Sequence, residues 1–209
     1  MSTASTTRRR VPRTVREGQM LDAAVSEFAR HGFHAASMDD IAARADVSKP
    51  MVYAYLGSKD DLFVACLHRE GTRLMEEIVE VVDPHVGVDE QLWRGVNAFF
   101  GYVAAHRDGW TLLFRQEHGA AELRGMRVRM IEVVTGLLTR AIGDRPTSAA
   151  DLESMAFALV GACESLADRL VDHADERPED TARRLMDMVW LGAERQLDGA
   201  AWRPADDIG

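Results

Sequence analysis

Two lysines stand close together in a chain whose other cations are all arginine. Of the 25 basic residues, only Lys49 and Lys59 are lysine. Lys49 follows Ser48, whose hydroxyl can cap a helix, and precedes Pro50, which is tolerated in a first helical turn. The free N–H groups at a helix start attract phosphate, and a lysine there adds a positive charge. The pattern favours a phosphate-binding or base-reading surface, and the alternative is that both lysines are ordinary solvated side chains.

The residues around these lysines predict two short helices joined by a tight turn, over residues 37–56. Ser37 can cap the first helix, and Asp40 follows it at the capping-box spacing. Ser48 can cap the second helix, which ends at the break over residues 57–59. Two short helices at a steep angle form a helix-turn-helix, whose second helix enters a DNA major groove.

An ordered series of residues extends this pattern in both directions. It comprises Phe28 with Gly32-Phe33, Ser37, Ile41-Ala42 with Ala45, Val47-Ser48, Tyr53 with Tyr55, and Ser58-Lys59 with Leu62. From about Thr14 to Leu74 the chain thereby resembles the DNA-binding domain of the TetR family of transcriptional regulators. The resemblance implies a homodimeric, all-helical regulator with a ligand-responsive C-terminal domain.

Four positions depart from the family pattern. Asp46, Pro50 and Leu56 stand where glycine, glycine and phenylalanine are usual. Asp39 stands where some relatives carry a basic residue that reads a base, so a base contact by Asp39 is left open.

The motif and the resemblance together select eight DNA-binding candidates. They are Ser37, Ser48, Lys49, Pro50, Met51, Tyr53, Tyr55 and Lys59. A lysine at the exposed helix start suits guanine O6 and N7, and the Met51 thioether can contact a thymine methyl. The resemblance implies that Tyr53, Tyr55 and Lys59 bind phosphates. Pro50 is expected to fix the helix start.

The net charge of −9 hides a strong asymmetry. Residues 1–59 hold nine basic and six acidic residues, a net charge of +3, and the remainder holds 16 basic against 28 acidic residues, a net charge of −12. A basic head on an acidic body orients the molecule towards phosphate.

Helical periodicity continues through the rest of the chain without an alternating strand pattern, which predicts an all-α fold. Thr147 is expected to cap a helix over 147–173, and Arg177-Pro178 to open one over 178–198. The predicted organisation is a flexible basic arm over 1–13, a helix-turn-helix domain over 14–74, and a regulatory and dimerisation domain over 75–209.

Both of the last two helices are apolar on more than one side, which favours one partner inside the subunit and one outside. The resemblance implies a four-helix bundle across a twofold axis. The candidate interface residues are Phe157, Gly161, Leu185, Met188, Val189, Trp190 and Leu191. The alternative is a monomer whose own core covers both faces.

An aromatic and methionine-rich set in the central helices suits an adaptable apolar pocket for a small-molecule effector. The eight candidate pocket residues are Trp93, Phe99, Phe100, Trp110, Phe114, Met126, Met130 and the acidic Glu164. The alternative is that the aromatic and methionine side chains are plain core. Glu164 and Asp168, one turn apart, would favour a cationic or hydroxylated ligand if they face this pocket. The alternative is a solvated helix edge.

The sequence contains no G-x-x-x-x-G-K-[ST], G-x-S-x-G, H-E-x-x-H or C-x-x-C motif, so we predict no catalytic residue, metal site or cofactor. No apolar run reaches about 18 residues and no apolar segment follows the first arginines, so the sequence predicts neither a membrane span nor a secretory signal. The two distant cysteines, Cys66 and Cys163, are typical of core residues in a reducing cytosol, and the dominance of arginine and alanine over lysine indicates a bacterial source, so we expect a cytoplasmic bacterial protein. The predicted function is a DNA-binding regulator, most simply a repressor that a small molecule releases from a palindromic double-stranded operator. The alternative is a small-molecule-binding or enzymatic helical protein with a vestigial DNA-binding head.

Overall fold

The computed structural model describes residues 12–116, 118–143 and 147–197, excluding the side chains of residues 120, 141 and 191–197. These residues form α-helices without any strand, which confirms the all-α prediction. The helices are α1 (Arg13–Ala35), α2 (Met38–Arg44), α3 (Lys49–Leu56), α4 (Lys59–Glu80), α5 (Val88–Ala105), α6 (Arg107–Phe114), α7 (Ala120–Ile142), α8 (Ala149–Asp172) and α9 (Pro178–Leu197). Residues 1–11 of the predicted arm and the tail after residue 197 lie outside the described part.

One predicted boundary differs from the structure. The N-cap of α8 is Ser148 rather than Thr147, because the Ser148 hydroxyl accepts the backbone N–H of Asp151 at 3.1 Å. Helix α6 begins at Arg107 and contains Gly109, because His106 alone leaves helical geometry (φ −125°, ψ 50°). Gly109 is therefore a buried helical residue.

The apolar side chains form two clusters. The head cluster joins α1, α2, α3 and the first half of α4, and it also includes Leu112 and Leu113 of α6. The body cluster joins the second half of α4 to α5, α7, α8 and α9. Helix α4 contributes to both clusters, with Leu67 in the head and Leu74 in the body. It therefore connects the helix-turn-helix mechanically to the body.

The start of α4 is fixed by a capping box. The Ser58 hydroxyl accepts the backbone N–H of Asp61 at 3.1 Å, and the Asp61 carboxylate accepts the backbone N–H of Ser58 at 2.8 Å. The Ser58 hydroxyl also donates to the Asp61 carboxylate at 2.7 Å, and this bond together with the one from the Ser58 backbone N–H holds the pKa of the Asp61 carboxyl below its ordinary value. Satisfying the free N–H groups here lets α4 begin directly after α3.

Within the described ranges, we find no helix that combines the length and the apolar character needed to span a bilayer.

Candidate nucleic-acid interface and ligand cavity

The turn between α2 and α3 holds the two helices at a fixed angle. Ser37 caps α2 as predicted, accepting the backbone N–H of Asp40 at 3.3 Å. Asp46 adopts a left-handed conformation (φ 52°), which explains why glycine is usual there, although aspartate also tolerates this region. Ile41 and Val52 are fully buried and pack the helix pair onto the head cluster.

Helix α3 presents its N-terminus and one side to solvent. Pro50 lies in the first turn, and Ser48 occupies the N-cap position without a capping bond from its hydroxyl. Lys49 and Tyr53 are exposed, with 43% of the Lys49 side chain and 44% of Tyr53 accessible. Because Val52 is buried, this exposed side points away from the core, as a helix that enters a groove requires.

The first turns of α1 support the other side of α3. The Arg13 guanidinium lies 5.1 Å from the centre of the Tyr55 ring, and Arg16 approaches the Met51 sulfur at 3.8 Å. Both α3 side chains are consequently half-buried. The end of the predicted basic arm therefore lies beside the recognition helix, although its first eleven residues are outside the described part.

The two lysines have different surroundings. The Lys49 ammonium donates to Asp39 Oδ2 at 2.9 Å, and this hydrogen bond raises the pKa of Lys49. The Lys59 ammonium donates to the carbonyl oxygen of His34 at 3.1 Å and lies 5.0 Å from the centre of the Phe33 ring. Lys59 therefore joins the α4 start to the end of α1, a contact that the sequence did not predict.

The body contains an apolar cavity with a free volume of about 80 Å³. It lies between α4, α5, α7 and α8, and its lining includes Ile78, Val82, Leu92, Val96, Phe99, Met130, Val134, Leu138, Leu159 and Cys163. Burial raises the pKa of the Cys163 thiol to about 12, so this side chain stays neutral. Gln91, which donates to the carbonyl of Val86 at 2.8 Å, brings the one side-chain amide to the described lining.

Of the eight residues predicted for the pocket, Phe99 and Met130 line this cavity. Phe100 is fully buried in the body cluster, and Trp93 packs against that cluster. Met126 belongs to the head cluster and lines an open groove between α4 and α7. Most of the cavity lining consists of aliphatic residues of α5, α7 and α8, which were not among the predicted pocket residues. Their three-to-four spacing in the sequence could have indicated them.

Trp110, Phe114 and Glu164 line a separate, more polar pocket between α6, α7 and α8. Asp168 also lies there and accepts from the Trp110 indole N–H at 2.9 Å. Glu164 Oε2 pairs with Arg127 at 2.9 Å, and its buried Oε1 meets no hydrogen-bond donor among the described residues. Burial raises the pKa of the Glu164 carboxyl. Glu164, whose direction the sequence left open, therefore lines this polar pocket and not the apolar cavity.

A buried carboxylate sits where α4 passes from head to body. Glu70 is only 2% exposed and accepts from the Arg69 guanidinium at 2.9 Å and from the Tyr102 hydroxyl at 3.1 Å. Arg69 also bonds Asp22 on α1 at 2.8 Å, so the network joins α1, α4 and α5. Burial and the Glu70 charge raise the pKa of the Tyr102 hydroxyl. This network could not be predicted from the sequence, because Asp22 and Tyr102 are far from Glu70 along the chain.

Helices α8 and α9 carry exposed apolar side chains. Phe157 is 50% exposed and Met188 is 65% exposed, while Gly161 and Trp190 are half-buried. Leu185 is buried within the subunit, and Val189 packs against the body cluster. The side chain of Leu191 is outside the described part. Among the predicted interface residues, Phe157 and Met188 are thus the most available to a partner.

The described residues are helical, and they include an exposed second helix of a helix-turn-helix and a helical body with a cavity. These features define the class of helix-turn-helix proteins. Residues 20–66 match the family model of bacterial regulatory proteins of the tetR family, and residues 88–192 match the Tetracyclin repressor-like C-terminal domain. The chain therefore belongs to the TetR family of bacterial transcriptional regulators.

Individual relatives agree with this assignment. A TetR-like transcriptional regulator from Rhodococcus sp. RHA1 superimposes with a TM-score of 0.76 at 43% identity, over 88% of this chain and 99% of that one. The HTH-type transcriptional activator FasR of Mycolicibacterium smegmatis is 33% identical over 64% of either chain. The HTH-type transcriptional repressor SCO4008 of Streptomyces coelicolor is 38% identical over 51% of this chain and 53% of that protein. The matches with FasR and SCO4008 span less than two thirds of those proteins.

Proposed function

We propose that this chain is a dimeric, sequence-specific DNA-binding repressor that an apolar effector releases from its operator. The exposed N-terminal side of α3, anchored by the buried Val52, carries the proposal. A twofold dimer would set two such helices in successive major grooves. The intact packing of the head argues against a vestigial DNA-binding domain.

The DNA-binding residues divide into two proposed roles. Lys49 and Met51 lie at the N-terminal end of α3, where side chains reach base edges. Ser48, Tyr53 and Lys59 are proposed to bind phosphates, and Ser37 to contribute through the exposed start of α2. Tyr55 is covered by Arg13, so its phosphate contact would be shared with that guanidinium.

The DNA proposal predicts a salt-dependent interaction with the DNA upstream of the chain's own gene. Replacing Lys59 with alanine is expected to weaken cognate and random duplexes equally, and to reduce the slope of log K against log salt by about one per site. Fluorescence anisotropy of labelled duplexes at several salt concentrations measures both quantities.

Arg140→Ala, an exposed cation near the end of α7, is the matched control and should leave the slope unchanged. Failure of the unaltered protein to bind any of these duplexes would refute the proposed function. If the slope of log K against log salt were unchanged in Lys59→Ala, Lys59 would not bind phosphate, and the rest of the proposed function would stand.

The effector is proposed to bind in the apolar cavity through an aliphatic or aromatic group. A free volume of about 80 Å³ accommodates a short chain segment, so a larger ligand requires α5, α7 or α8 to move. Such a movement reaches α4 through Ile78, which lines the cavity from that helix, and through Val82, which follows its C-terminal end. The head angle would then differ between ligand-bound and DNA-bound states.

Gly95 provides a test of this cavity. A Cβ at Gly95 would lie 3.9 Å from Ile78 and 4.0 Å from Val82, so alanine fits while leucine fills the cavity. At 100 times its dissociation constant, decanol is expected to stabilise the unaltered protein and Gly95→Ala by about 2.7 kcal/mol, and to weaken DNA binding. Gly95→Leu should show neither effect, as measured by thermal unfolding and anisotropy.

The matched Gly95→Ala variant separates filling of the cavity from loss of a helical glycine. Stabilisation of Gly95→Leu by decanol would place the ligand elsewhere. Stabilisation of the unaltered protein without loss of DNA affinity would reject the release mechanism and retain the cavity.

A further inference from the structure

We propose that Asp39 and Lys49 act together as one reading unit for a G·C base pair in each operator half-site. The inference rests on the proposed function and specifies its DNA. The Lys49 ammonium and an Asp39 carboxylate oxygen lie 2.9 Å apart, and their side chains are 43% and 72% exposed. Asp39 lies in the first turn of α2 and Lys49 in the first turn of α3, so the starts of the two helices place both side chains on one surface.

The charge of Asp39 limits where it can lie on DNA. A carboxylate at this surface is repelled by phosphates, so contact with the backbone is unfavourable. Over the major-groove edge of a base, the same carboxylate can accept from an exocyclic amino group, such as cytosine N4. The ion pair with Lys49 also holds the ammonium beside the acceptor that would face cytosine.

The spacing of the pair matches the groove edge of G·C. Guanine O6 and cytosine N4 are an acceptor and a donor joined by a Watson–Crick hydrogen bond, about 3 Å apart. With Lys49 over guanine and Asp39 over cytosine, a donor faces an acceptor and an acceptor faces a donor. Guanine N7 adds a second acceptor within reach of the ammonium.

The other three base pairs fit less well in the same orientation. A·T sets the ammonium against adenine N6 and the carboxylate against thymine O4, so like groups face each other, and C·G does the same. T·A restores the order of acceptor and donor but lacks the N7 acceptor and brings the thymine methyl towards the lysine. The pair therefore predicts the affinity order G·C, then T·A, then A·T and C·G.

Selection from random duplexes, followed by anisotropy on four duplexes that differ at one base pair, tests this order. We expect about 10- to 100-fold weaker binding for A·T and C·G than for G·C. Replacing the guanine by 7-deazaguanine should weaken binding, because N7 is lost. Replacing it by inosine should not, because inosine changes only the minor groove.

Two substitutions identify the residues. Asp39→Ala should reduce the discrimination between G·C and A·T at least fivefold and should bind random DNA no more weakly than the unaltered protein. Lys49→Ala should weaken the G·C duplex and leave random DNA nearly unchanged. Asp40→Ala is the matched control, since it removes the same charge from the neighbouring exposed position and should preserve the base order.

Circular dichroism and thermal unfolding serve to check that each variant folds, which we expect because the replaced side chains are exposed. Equal strengthening of cognate and random DNA in Asp39→Ala would overturn the proposal, because Asp39 would then only shield Lys49. Equal effects of Asp39→Ala and Asp40→Ala on the base order would overturn it as well. Absence of binding to every duplex by the unaltered protein would instead refute the proposed function.

Discussion

Replacing Phe157 with aspartate is expected to convert the proposed dimer to a folded monomer. Phe157 is 50% exposed on α8, so an aspartate there is tolerated in the isolated subunit. At a dimer interface, each subunit would bury an unpaired charge, which costs several kcal/mol and weakens association by at least about 100-fold. Sedimentation over a concentration series measures the change.

Affinity for the operator should decrease when the dimer is lost, because a monomer contacts a single half-site. Met188→Asp on α9 is expected to act in the same direction, since Met188 is 65% exposed. Val128→Asp on α7 is the matched control, an exposed apolar residue outside the proposed interface. Dimers that persist unchanged in both Phe157→Asp and Met188→Asp would place the interface on another surface.

Replacing Glu70 with alanine is expected to lower the free energy of unfolding by about 2–4 kcal/mol, because several hydrogen bonds to a buried carboxylate are lost together. Arg69 keeps its contact with Asp22, and the Tyr102 hydroxyl keeps the backbone carbonyl of residue 70 as an acceptor at 3.2 Å. Urea unfolding followed by circular dichroism measures the loss. Glu77→Ala, an exposed glutamate on the same helix, should change stability by no more than about 0.5 kcal/mol.

A milder variant tests whether the network also couples head and body. Tyr102→Phe removes the hydroxyl that donates to the Glu70 carboxylate at 3.1 Å and to the Glu70 carbonyl at 3.2 Å. The loss should cost about 1.5–3 kcal/mol, because the carboxylate acceptor is charged. If the network transmits the effector signal, Tyr102→Phe should reduce the release of DNA by decanol while the cavity still binds it. Full release in this variant would restrict the network to a structural role.

The helix-turn-helix could be predicted from the sequence because its determinants are local. Ser37 and Ser58 are capping residues whose partners lie three positions away, and the structure contains both caps. Breaks such as Gly57, with a positive φ of 76°, act through their own backbone. Local rules failed where two residues compete for one cap, as Ser148 and Thr147 do before α8.

The cavity could be predicted only in outline. The periodic apolar residues of α5, α7 and α8 indicated a packed helical body, but not which of them face each other across a void. That depends on how three helices cross, and small differences in crossing decide whether Phe99 lines the cavity or Phe100 fills the core. Glu164 illustrates the same limit, since it lies one residue after the cavity-lining Cys163 and faces a different pocket.

The sequence by itself determined the helix content, the position of the recognition helix and the charge asymmetry between head and body, because each follows from neighbouring residues or from composition. Tertiary structure alone decided the contacts between distant residues. It paired Lys49 with Asp39, placed Lys59 on the carbonyl of His34, and joined Glu70 to Tyr102 across α4 and α5. Such contacts depend on the angles between packed helices, which no spacing along a single helix records.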